Sequence, residues 1–243
     1  MAKIVEDRFG STEKLMVLVE DITRCHVGSH VRSFLGKWNP GKVTKCAKVV
    51  SNIPFNISTD VVKLLLPMGD LFSDVVLLLQ DETALRLVEL QLRSPEYRPI
   101  NLFVSFYSDA EYMFKVGREN FFPKPKANIP MDSNNKLKAR GNVAQVDAAV
   151  VKFKLKQNSE YPQVSSRKGF FSMVKSAFNG KRKMLRKSLQ HICSAQEIED
   201  ALKTISLPVT ARPQELSLED FVRLYNIISK SCQIFPEPEH LNL

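Results

Sequence analysis

Between residues 15 and 155, strand-sized apolar runs alternate with longer segments of helical spacing, and beyond Lys156 the helical segments continue without strands. That alternation commits the first part to an α/β sheet with crossover helices and the second to a small all-helical part. The runs are 15–19, 47–50, 74–79, 101–106, 112–116 and 148–155. The second and third read as buried parallel strands and the last as a half-exposed one.

Between the runs, Val61, Val62, Leu65 and Leu66 fall at helical spacing behind a Ser58/Thr59 cap, and Leu85, Val88 and Leu92 repeat the pattern over 81–92. In the second part Phe171, Val174 and Phe178 share a face, and Leu185, Leu189 and Ile192 share another after Gly180. Ser194 and Glu197 form a capping box ahead of Ile198, Leu202 and Ile205, and Ser217 caps a helix burying Phe221, Leu224 and Ile228. The expected organisation is an α/β domain over 1–156 with a flexible, Asn- and Lys-rich insertion at 127–145, a helical domain over 165–232, and a frayed tail at 233–243.

Composition narrows the function classes. No apolar run approaches the roughly 20 residues of a membrane span, so a transmembrane reading is excluded. Nine glycines stand among 243 residues, no two forming Gly-x-Gly, so these residues hold no glycine-rich phosphate loop. The four cysteines lie far apart without a C-x-x-C pair, which suits buried thiols in a reducing compartment. His26 and His30 stand at i and i+4 beside Cys25, the spacing of two metal ligands on a helix, but no second cluster completes a tetrahedral set, and no metal is assigned. The opening residues have neither a signal core nor a transit-peptide composition.

Three segments could carry chemistry. Ser51-Asn52-Ile53-Pro54-Phe55-Asn56 follows directly on a strand, where open α/β sheets place their ligands. Asn52 offers a side-chain carbonyl, Pro54 a backbone carbonyl and Phe55 a stacking face, a set suited to an amino-bearing planar ligand such as adenine; a plain turn with a core Phe reads equally from the local string. In Asn120-Phe121-Phe122-Pro123-Lys124-Pro125-Lys126, aromatics interleave with cations as stacking on an unpaired base requires, or as a Pro-stiffened loop anchored by Phe would show. From 165 to 190 stand eight basic residues, among them Lys181, Arg182, Lys183, Arg186 and Lys187, and no acidic one. A one-sign run at i, i+4 repels itself and points to a polyanion, chiefly nucleic acid; a net charge of +9 thereby gains a location.

In chain order, Asn-Ile-Pro-Phe-Asn-Ile-Ser-Thr (52–59), Phe-Phe-Pro-Lys-Pro-Lys (121–126), Val-Asp-Ala-Ala-Val-Val (146–151), Lys-Arg-Lys-Met-Leu-Arg-Lys-Ser-Leu (181–189) and Arg-Pro-Gln-Glu-Leu-Ser-Leu-Glu-Asp-Phe (212–221) resemble the ribosomal RNA adenine dimethyltransferase family, most closely its plant organellar branch. The resemblance implies a Rossmann-like methyltransferase sheet with a C-terminal helical domain, S-adenosylmethionine as cofactor, and dimethylation of adenine amines in small-subunit ribosomal RNA or a pre-ribosomal particle. It implies a monomer in the plastid with no membrane partner. Asn52 and the Pro54 carbonyl would accept the adenine's amino hydrogens, Phe55 and Phe121 would stack on its faces, Asp21 and Asn52 would contact the cofactor, and Lys181, Arg182, Lys183, Arg186 and Lys187 would hold RNA.

Two departures set further expectations. The family's glycine-rich cofactor turn and acidic ribose contact have no counterpart, so the sheet is expected to lack its first two strands and this form to be N-terminally truncated and impaired in cofactor binding. Residues 127–145 split a motif that is otherwise continuous, as an insertion or a mis-assigned transcript would. A non-catalytic RNA-binding or ribosome-assembly protein is the alternative.

Overall fold

A computed structural model describes residues 2–10, 12, 14–38, 47–121, 147–180 and 183–232. Four strands form one sheet: β1 (Ala47–Asn52), β2 (Phe72–Gln80), β3 (Ser108–Val116) and β4 (Ala148–Leu155), in the order β1-β2-β4-β3. β1 runs parallel to β2, as their connection through α3 (Ser58–Leu65) requires, and β4 is antiparallel to both β2 and β3. The helices outside this crossover are α1 (Ala2–Phe9), α2 (Val27–Trp38), α4 (Asp81–Val88), α5 (Pro99–Tyr107), α6 (Arg167–Phe178), α7 (Leu185–Ser188), α8 (Ala195–Thr204) and α9 (Leu218–Cys232). An α/β part followed by a helical part is what the alternation of runs predicts.

Particular elements depart from the expectations. Residues 15–19 carry no regular secondary structure and pair with no strand among the described residues, and Val19 is 79% exposed. A β-rich run becomes a strand only where another strand takes up its N–H and C=O groups. Residues 101–106 are helical, inside α5. Pro99 opens its first turn, Asn101 Oδ1 accepts from the Arg98 N–H at 2.8 Å, and an all-round apolar run suits a helix buried on most sides as well as it suits a strand. β1 is half-exposed rather than buried and β4 is the more buried strand, which exchanges their expected roles. No Ser58/Thr59 cap forms, because Ser58 is already the first residue of α3 and its hydroxyl is buried without a partner. α4 stops at Val88, short of Leu92, as the chain turns extended at Glu89 and reaches positive φ at Arg93. The segments 127–145 and 233–243 lie outside the described residues.

The two parts share one contiguous core. Phe106 of α5 meets Phe170 and Phe171 of α6 at ring centroid distances of 5.5 and 5.1 Å. Below them, the Lys156 carbonyl comes so close to Gly69 that a Cβ there would fall 2.0 Å from it. Ser166 caps α6, the Ser194–Glu197 box caps α8 as expected, and Ser217 exchanges hydrogen bonds with Asp220 at the start of α9. Cys193 is disulfide-bonded, which corrects the expectation of uniformly reduced thiols.

Buried Tyr97 ties the segment before α5 to the helical part, its hydroxyl donating to the Leu216 carbonyl at 3.0 Å. Burial pushes the Tyr97 phenol up to about 12, so the folded protein keeps a proton that the unfolded chain releases near pH 10. Stability from this group is therefore complete below about pH 10 and falls as pH climbs toward 12. Tyr97→Phe should cost about 1–2 kcal/mol at neutral pH in urea unfolding, through the orphaned Leu216 carbonyl. The difference should shrink as pH rises from about 10 to 12, because only the wild type carries the titrating phenol.

Candidate active site at one end of the sheet

The strand register collects the motif residues at one end of the sheet. Asn52 at the end of β1 stands opposite Leu78 of β2, Leu78 opposite Val150 of β4, and Val150 opposite Phe114 of β3. Strands lie about 4.8 Å apart, so Asn52 and Phe114 are separated by about 15 Å across the sheet. One step further, Gln80, Ala148 and Val116 line up, and Asp81, Asp147 and the turn over Arg118–Asn120 project beyond them.

The loop after β1 keeps the alternation of the strand. Ile53 is buried in the core, whereas Asn52 and Pro54 on either side are exposed and Phe55 is half-buried. Ile53 thus anchors the loop and leaves its neighbours facing outward. The Asn52 side chain makes no hydrogen bond with any other described residue. The Pro54 carbonyl accepts the Ile57 N–H at 3.2 Å, closing the turn Phe55–Ile57; a carbonyl has two lone pairs, so one acceptor direction remains.

Phe121 follows the Arg118–Asn120 turn at the end of β3, its N–H donating to the Arg118 carbonyl at 3.2 Å. Phe121 and Phe55 lie at the same sheet end and make no ring contact with each other among the described residues. A polar knot invisible to local sequence reading fixes this corner. Lys115 Nζ of β3 bridges Asp147 at 2.7 Å and Asp81 at 3.2 Å, and Tyr112 donates to Asp81 at 2.8 Å. The Asp81 N–H donates to the Asp147 carbonyl at 2.9 Å and the Arg118 N–H to the Asp147 carboxylate at 3.3 Å. The Lys115 ammonium holds the Asp147 carboxyl below the usual carboxylate value, and the Lys115 ammonium is raised by Asp147 first and Asp81 second.

Asp21 lies in the turn before α2. One carboxylate oxygen accepts from the Thr23 N–H (2.9 Å) and hydroxyl (2.7 Å), which lowers its pKa, while the other has no described partner. Asp21 and Asn52 therefore each keep an unpartnered polar atom. Such acceptors fit the amino groups and hydroxyls of a nucleoside-bearing cofactor.

Of the basic residues, Lys181 and Arg182 lie outside the described set. Lys183 and Lys187 are exposed, with no ion pair among the described residues. Arg186 is different: its guanidinium bonds Glu199 at 2.6 Å, so its charge is compensated from a helix 13 residues away, a pairing no local pattern announces. Arg167 stacks over Tyr161 at 4.9 Å. α7 begins only at Leu185, so the expected i, i+4 pair Lys183/Lys187 does not share a helix face, and the pair Arg182/Arg186 falls partly outside the described residues.

Comparison with known proteins gives a consistent picture. Residues 1–230 match the family described as Ribosomal RNA adenine dimethylase. The chain is 58% identical over 231 residues to the chloroplastic ribosomal RNA small subunit methyltransferase of Arabidopsis thaliana, covering 95% of this chain and 62% of that protein. It is 32% identical over 220 residues to ribosomal RNA small subunit methyltransferase A of Protochlamydia amoebophila, covering 90% of this chain and 67% of the relative. Among solved structures, a dimethyladenosine transferase from Plasmodium falciparum shares the fold with a TM-score of 0.61 and 19% identity over 80% of this chain and 70% of that one. The 23S rRNA methyltransferase ErmE does so with a TM-score of 0.56 and 18% identity over 94% of this chain and 78% of that one.

The polar knot makes a measurable prediction. Followed by carboxyl NMR, Asp147 should titrate below the ordinary aspartate value of about 3.9, and Lys115→Met should move it upward. The link to Lys115 is complete above that ordinary value and is lost as pH falls through the depressed one.

Proposed function

Because this chain belongs to the ribosomal RNA adenine dimethylase family, we propose that it acts in S-adenosylmethionine-dependent dimethylation of adenine amines in small-subunit ribosomal RNA. The observation that carries this reading is the outward-facing pair Asn52 and Pro54, two unsaturated acceptors at a sheet end that also holds Phe55 and Phe121. The target adenine leaves its RNA context to enter such a site. Its amino hydrogens are accepted by the Asn52 side-chain oxygen and the remaining lone pair of the Pro54 carbonyl, which aligns the nitrogen lone pair outward. Phe55 and Phe121 hold the ring plane.

Asp21 and Asn52 would hold the cofactor, which when bound supplies an electrophilic methyl group on a sulfonium. Positioning and fixed dipoles then carry the rate without a strong base. No Gly-x-Gly stands among these 243 residues and residues 15–19 pair with no strand among the described ones, so these residues taken alone would grip the cofactor weakly. The same features favour, as a second reading, a non-catalytic RNA-binding protein of ribosome assembly. Calorimetry with S-adenosylmethionine separates them, because micromolar binding contradicts the second reading.

Residues 165–232 are read as the RNA-binding domain beside a catalytic domain over 1–156, acting as a monomer. The chloroplastic Arabidopsis relative supports a plastid location. No helix among the described residues is long and apolar enough to cross a membrane.

Methyl transfer to small subunits lacking the modification tests the site: Asn52→Ala should lower the rate about a hundredfold, and full activity would remove Asn52 from the mechanism. For RNA, neutralising Lys181, Arg182 and Lys183 together should flatten the salt dependence of binding by up to about three phosphate contacts. Arg186→Gln should instead lower folding stability, because Glu199 loses its partner.

A further inference from the structure

The turn between residues 15–19 and α2 brings together three residues of metal-binding chemistry that are not adjacent in sequence. The ligand atoms of Glu20, Cys25 and His30 all lie within 4.8 Å of one another, and His30 Nε2 stands 3.5 Å from a Glu20 carboxylate oxygen. The turn is built by the Asp21 carbonyl, which accepts from both the Arg24 and Cys25 N–H groups at 2.9 Å, and α2 is entered through the His30 N–H to His26 carbonyl bond at 3.2 Å. These backbone bonds fold Glu20 back over Cys25 and His30. His26, the other member of the i, i+4 pair, is exposed and stands outside the cluster. Glu20 therefore takes the place that helical spacing would have given to His26.

We propose that Glu20, Cys25 and His30 form a site for a borderline-soft divalent cation, zinc by preference, with a fourth position open to water. Zinc takes sulfur at about 2.3 Å and nitrogen or oxygen at about 2.0–2.2 Å, so tetrahedral ligand atoms sit about 3.5 Å apart. Side-chain rotations that bring the three atoms about 1 Å closer satisfy that geometry. A thiolate with an imidazole selects zinc over magnesium or calcium, which prefer all-oxygen shells. Three protein ligands on a partly exposed turn make an exchangeable site, and occupancy would fasten the Glu20–Asp21 corner to the first turn of α2.

Cobalt(II) titration of the reduced full chain tests this. One equivalent should give the visible bands of tetrahedral cobalt with a thiolate-to-cobalt charge-transfer band, zinc should displace it, and magnesium should not. Cys25→Ser should abolish the charge-transfer band although Cys46, Cys193 and Cys232 remain. His30→Ala and Glu20→Gln should each weaken binding about tenfold or more, with His26→Ala unchanged. A wild type without the charge-transfer band, a band that survives Cys25→Ser, or unchanged affinity in both His30→Ala and Glu20→Gln would each overturn the proposal.

Discussion

The insertion of β4 between β2 and β3 is the constraint on which the rest of this fold depends. β4 supplies the only described ladder partner of β3, and through Asp147 at its start it brings the β3–β4 connection to the end of β2. Val151 and Phe153 are fully buried, and side chains of that kind contribute about 1.5–3 kcal/mol each. Closing a long connection between β3 and β4 costs only slowly more as it lengthens, so the sheet tolerates extra residues there as long as β4 docks in register. Antiparallel pairing sets that register, and with it the corner where Lys115, Asp81 and Asp147 meet.

What the sequence disclosed and what it hid divide along physical lines. The strands at 47–50 and 74–79, each two or three residues longer in the structure, are legible because β-branched runs bounded by turn residues have few other solutions, and the capping box at Ser194 is legible because its chemistry is local. Residues 101–106 were not, since a short apolar run has no period to distinguish strand from buried helix; Pro99 and Asn101 decided the matter through a cap. Residues 15–19 show the converse, where β propensity is present and no strand among the described residues pairs with them. At the candidate site, Asn52, Pro54 and Phe55 were legible from their place after a strand. The Lys115 knot was not, because its members come from three elements joined only by tertiary structure.

Charge also reads differently once it is folded. Counting residues assigns eight positive charges to 165–190, yet Arg186 faces Glu199 and Arg167 lies on the Tyr161 ring. A guanidinium that bonds a partly buried carboxylate cannot turn to a phosphate without leaving that carboxylate unpaired, which is costly in proportion to its burial. Exposed lysines have no such tie. Among the described residues of that run, Lys183 and Lys187 are exposed ammonium groups without such a tie, and in the proposed function they would be point charges along a backbone rather than forks that recognise one geometry.

That distinction bears on where specificity would reside. Lysines that follow phosphates have little preference among sequences, so in the proposed function selection of an adenine falls to the sheet end, where the acceptors of Asn52 and Pro54 face outward. Acceptors discriminate only if they cannot move to suit another base. Here the loop is pinned by Ile53 in the core and by the Pro54 to Ile57 bond, and the opposing corner is pinned by Lys115. In the proposed function, affinity and selectivity thus fall to different parts of one molecule, joined by the shared aromatic core of α5 and α6.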